Sequence, residues 1–111
     1  FATLMLTALT CAAASVSSFA QTSQVSREQR DQFAATTSER CIQSQRADPT
    51  QAAQTDAGIR QFCACYSRRV ADAMPDDVLN TSVSAATPEQ LTTSQSIMRQ
   101  SAQACRGTAQ P

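Results

Sequence analysis

Ile59–Met74 reads IRQFCACYSRRVADAM, and its reading decides the architecture of this chain. Ile59, Phe62, Cys63, Tyr66, Val70 and Met74 recur at the three- and four-residue spacing of one helix face. Pro75 follows and stops the helix, because a proline ring clashes inside one. Within this helix lies Cys63-Ala64-Cys65. Residues two apart on an α-helix point about 200° from each other. The two thiols therefore aim at different neighbours, which makes this helix the centre of a stapled bundle.

Outward from it, Cys41 and Cys105 supply the partners, giving C…C-x-C…C. Ser26 with Gln29 is a capping-box pattern that opens a first helix. Its stripe is Phe33, Ala34, Thr37 and Cys41, with Ile42 beside it, and it is expected to end near Arg46, before Asp48-Pro49. Thr87-Pro88-Glu89-Gln90 opens the last helix with an N-cap, a proline at the first position and a glutamine at the third. That helix sets Leu91, Ser94, Met98, Ala102 and Cys105 on one face, with Gly107 placed to end it. Asp48-Pro49 could start the central helix at once, but Cys63 would then stand ~20 Å up it, out of level with Cys41. A start near Thr55-Asp56 restores the match and leaves 47–54 as a loop or separate turn. Asp76–Ser84 is expected to hold a short helix around Val78 and Leu79. No strand pattern or repeat is visible. The expected fold is all-α: a small three- to four-helix disulfide-stapled domain over 21–111.

Spacing alone does not fix connectivity. Cys63 lies near the middle of the central stripe and Cys105 on that of the last helix, which favours Cys63–Cys105 with Cys41–Cys65. Cys41–Cys63 with Cys65–Cys105 ranks just behind. Staples closing loops of roughly 25 and 40 residues contribute ~3–4 kcal/mol each in the chain-entropy treatment. Large apolar residues are few, so this rivals the whole stability of so small a domain.

The compartment follows from the N-terminal stretch. Phe1 to Ala14 is largely apolar and uncharged, too short for a membrane span but suited to a signal h-region. Ser18-Phe19-Ala20 offers the small residues signal peptidase reads, so cleavage is expected after Ala20, with 1–20 an N-terminally incomplete signal peptide. Lipidation at Cys11 is the alternative, disfavoured by the bulk of Thr10 at the bond to be cut. The expected location is periplasmic or secreted, where thiols become disulfides.

Nine arginines balance nine acids, and Lys, His and Trp are absent. No net field draws the chain to nucleic acid, and after signal cleavage no apolar run can span a membrane. Without His or Lys the usual general base and amine nucleophile are missing, and no phosphate loop or nucleophile elbow occurs. Asp72, Asp76 and Asp77 cluster near Pro75, where the plain reading is acids in the first turn of a helix. No catalytic residue, metal site or cofactor is expected.

The arrangement Phe33…Cys41, then Phe62-Cys63-Ala64-Cys65-Tyr66, then Cys105 resembles a broad set of small, mostly uncharacterised exported bacterial helical proteins. The resemblance spans most of 21–111 and rests on four cysteines and two aromatics. It implies the stapled helical fold and export, and no chemistry.

Two function classes follow. The first is an exported non-catalytic module, monomeric, that binds a protein partner or fills a structural role in the envelope. Val78 and Leu79, flanked by Asp76 and Asp77, are its candidate contact residues. The second is a thiol redox or Cu(I)-handling protein using Cys63 and Cys65. A carrier of a small apolar ligand is a third reading.

Overall fold

The computed structural model describes residues 24–108. Local signals set the helix boundaries. Ser26 Oγ accepts from the Gln29 amide at 3.1 Å while the Ser26 amide donates to Gln29 Oε1 at 2.9 Å. This capping box opens α1, Arg27–Ala47. Asp48 then accepts from the Thr50 amide and hydroxyl at 2.9 and 2.7 Å and turns the chain through one 3₁₀ turn, Pro49–Gln51. Thr55 caps the Gly58 amide at 3.0 Å and starts α2, Asp56–Ala73, where the matched-height argument put it. Met74 is the C-cap, since Pro75 cannot continue the helix. The short α3, Asp76–Leu79, carries Asp76 and Asp77 in its first turn, and a 3₁₀ turn, Val83–Ala85, follows. A second capping box, Thr87 with Gln90, opens α4, Pro88–Cys105. Gly107 does not end α4 in the expected way. It has no positive φ, and the chain leaves through a 3₁₀ turn, Arg106–Thr108. The fold is therefore all-α, with no strand among the described residues. The expected signal peptide and Cys11 lie outside the described residues.

Both α1 and α4 pack on α2, and the two flanking helices form no packed interface with each other. Ile59, Cys63, Ser67, Val70 and Ala71 are the buried stripe of α2, continued by Met74. Ala34 of α1 and Ser101 and Cys105 of α4 are buried as well. The buried residues are mostly small, so the helices approach closely. Cys63 and Cys105 are, with Val70, the largest side chains wholly removed from water. The staples thus form part of the core as well as closing it. Ser67 answers its own burial by donating to the Ala64 carbonyl at 3.2 Å.

The disulfides correct the favoured pairing. Cys41 bonds Cys63, with Cα atoms 5.6 Å apart, and Cys65 bonds Cys105 at 5.8 Å. The physical reason is which helix takes the stripe of α2. The long antiparallel partner α1 covers most of it, so Cys63 on that stripe meets Cys41. Cys65, about 200° round the helix, is turned toward α4 on the other flank. The deduction that the two thiols serve different neighbours holds; the assignment of neighbours is reversed.

Arginine–aspartate pairs fix the hairpin at both ends. Arg27, Asp31, Arg68 and Asp72 form an exposed lattice between α1 and α2, with N–O distances of 2.8 to 3.7 Å. At the other end, Asp56 joins Arg46 and Arg60. The hydrogen bond from Arg60, followed by that from Arg46, holds the Asp56 carboxyl below its ordinary value. Exposed pairs contribute little singly; Arg27–Asp72, Arg68–Asp31 and Arg46–Asp56 are the ones that link α1 to α2.

Candidate functional site

Because α1 and α4 flank α2 without packing together, a groove lies between them, with a volume of about 390 Å³. Its floor is Val70 and Met74 of α2, both buried. Phe33, Thr37 and Arg40 form the α1 wall, at positions i, i+4 and i+7 of one stripe. Gln90, Leu91, Ser94 and Met98 form the α4 wall at the same kind of spacing. The segment joining α2 to α4 closes one end with Val78, Leu79, Thr81, Val83 and Ala86. The lining is overwhelmingly apolar. The other depressions on the surface differ, being lined by such residues as Arg69, Asp72 and Gln100.

Val78 and Leu79 are half-buried in this lining, so they serve as groove wall and as cover for the end of the core together. Three residues read as core stripe or left without a role prove to be rim. Val83 is 85% exposed, Leu91 40% and Met98 37%. These are the exposed large apolar side chains among the described residues, and all three border the groove. The burial of α4 instead falls on Ser101 and Cys105, one helical turn apart. A signal was present in the sequence: α2 offers small Ala71 and Ser67 beside Val70, too little surface to cover Phe33, Leu91 and Met98 at once.

The remaining sequence candidates have structural partners. Asp76 pairs with Arg30, whose guanidinium also donates to the Ala71 and Met74 carbonyls at the end of α2. Asp77 accepts from Gln90 Nε2 at 3.2 Å, which ties α3 to the first turn of α4. Asp72 belongs to the α1–α2 lattice. Arg68 pairs with Asp31 at 2.8 Å in the same lattice. All four cysteines downstream of the N-terminal stretch are consumed in disulfides. No group of three His, Cys, Asp or Glu among the described residues is arranged to hold a metal ion. Phe62 and Tyr66 stack at 6.0 Å on α2, and burial pushes the Tyr66 phenol up.

No helix among the described residues is long and apolar enough to cross a membrane. No protein-family model, curated protein or solved structure matches this chain.

Proposed function

We propose that this protein is an exported, non-catalytic binding module that takes an apolar guest into the groove between α1 and α4. One observation carries the reading. Every large apolar side chain that the fold leaves exposed in 24–108 borders that groove. Exposed apolar surface gathered in one concave place, rather than scattered, is the usual mark of a binding site. The two disulfides support export, since such bonds persist in oxidising compartments. They also give the groove rigid walls, because each flanking helix is bonded to the floor helix. Cys63 and Cys65 are each bonded to a separate partner, so this reading makes no use of a C-x-C dithiol.

The test uses N-phenyl-1-naphthylamine, an uncharged dye that brightens in apolar surroundings. Saturable one-to-one binding is expected with the native chain. The double variant Leu91→Gln/Met98→Gln is expected to lose it while keeping its melting temperature. An unsaturable signal, or equal binding by the variant, overturns the reading.

A further inference from the structure

The lining of the groove has one charged residue, Arg40, and no carboxylate. Arg40 lies seven residues beyond Phe33 on the same α1 stripe, ~10 Å along the helix. Phe33 shares its end of the groove with Leu79, where the α2–α4 connection closes it. Arg40 lies further along the same wall, and it also lines the neighbouring depression that Phe33 and Leu79 share. The other arginines of α1 are committed: Arg27, Arg30 and Arg46 each pair with an aspartate. Arg40 is exposed and makes no hydrogen bond or ion pair among the described residues.

An uncommitted cation beside an apolar groove complements a guest with an apolar body and an anionic end. We propose that the groove binds a free single-chain amphiphile with a carboxylate head. Its alkyl chain lies against Val70, Met74, Leu79, Leu91 and Met98, and its carboxylate pairs with Arg40. The planar guanidinium fork matches a carboxylate with two parallel hydrogen bonds, which a point charge does not. A partner helix fits less well. A helix is ~10–12 Å wide and needs a trough along which it can lie. Here the connection carrying Val78, Leu79 and Val83 blocks one end.

This inference rests on the groove being an apolar binding site, and its test separates the two. Calorimetric titrations compare dodecanoate with dodecanol, each kept below its aggregation limit. Dodecanoate is expected to bind about tenfold more tightly than the alcohol. Arg40→Gln removes that preference and leaves the melting temperature unchanged. Removing one methylene from the chain weakens binding roughly fourfold. If acid and alcohol bind alike, or Arg40→Gln leaves the preference intact, the carboxylate assignment is overturned and the apolar groove stands. If neither amphiphile binds, both fall.

Discussion

Arg30 and Asp76 are joined across the top of the α1–α2 hairpin, and the same guanidinium also bonds the Ala71 and Met74 carbonyls, the latter at 2.9 Å. One side chain of α1 thereby satisfies carbonyls that α2 leaves without partners where Pro75 ends it. It also brings a positive charge to the negative end of the α2 dipole and fixes the start of α3. The Arg30 side chain is only 18% exposed, so solvent does little to replace these bonds.

Arg30→Ala is accordingly expected to destabilise the domain by about 2 kcal/mol. For a domain of this size that lowers the melting temperature by roughly 8–15 °C. Asp76→Asn, which keeps an acceptor in place, should lose less. Thermal melts followed by circular dichroism measure both. Equal melting of Arg30→Ala and the native chain would show the cap to be ornamental.

The two staples should differ in what they hold. Cys41–Cys63 closes a separation of 22 residues and Cys65–Cys105 one of 40. In the chain-entropy treatment these correspond to ~3 and ~4 kcal/mol. Cys65→Ser/Cys105→Ser should also release α4, which packs on α2 and not on α1. Urea denaturation is expected to place this double variant below Cys41→Ser/Cys63→Ser, and amide exchange to show α4 unprotected first. Full protection of α4 in the Cys65/Cys105 variant would contradict this.

Rim and floor of the groove should respond oppositely to truncation. Val70 is 1% exposed, so Val70→Ala should lose about 2 kcal/mol through lost burial and a cavity. Leu91, half open to water, should lose no more than ~0.5 kcal/mol as Leu91→Ala. Chemical denaturation of the two variants checks the contrast. A Leu91→Ala loss as large as that of Val70→Ala would make Leu91 part of the core.

Acid should weaken the far end of the hairpin. Asp56 is held below its ordinary 3.8, first by the bond from Arg60 and then by that from Arg46. Asp48 is lowered in the same way by the Thr50 hydroxyl and amide. A depressed carboxyl favours the folded state above the pKa of the unfolded chain. That contribution disappears as pH falls through the folded value. Urea midpoints should therefore fall between about pH 5 and pH 2. Asp56→Asn should flatten part of that fall, and an unchanged slope in this variant would remove Asp56 from the account.

Much of this fold was legible because helix ends are written in short-range chemistry. Ser26/Gln29, Thr55, Pro75 and Thr87/Gln90 each act within four residues, and each stands where its local signal put it. The central place of α2 followed from the angle between Cys63 and Cys65. What was not legible depends on distant pairing. Which flank of α2 faces α1 cannot be read from α2 alone, so the disulfide assignment was reversed. Arg30 reaches residues more than forty positions away, and nothing near it in sequence marks it as a cap. The groove was illegible for a related reason. Periodicity put Leu91 and Met98 on one face of α4 with Cys105, and both line the groove as its exposed rim. The structure adds that α1 and α4 stand apart there, so that face opens onto a groove.

The central claim is that this groove receives an apolar guest. Titration of isotopically labelled protein with decanol, followed by two-dimensional NMR of the side-chain methyl groups and aromatic rings, tests it most directly. The account predicts saturable shifts at Leu79, Leu91, Met98 and the Phe33 ring, with Ile59 at the far end of α2 unmoved. Shifts spread evenly over the surface, or none at these four residues, would contradict it.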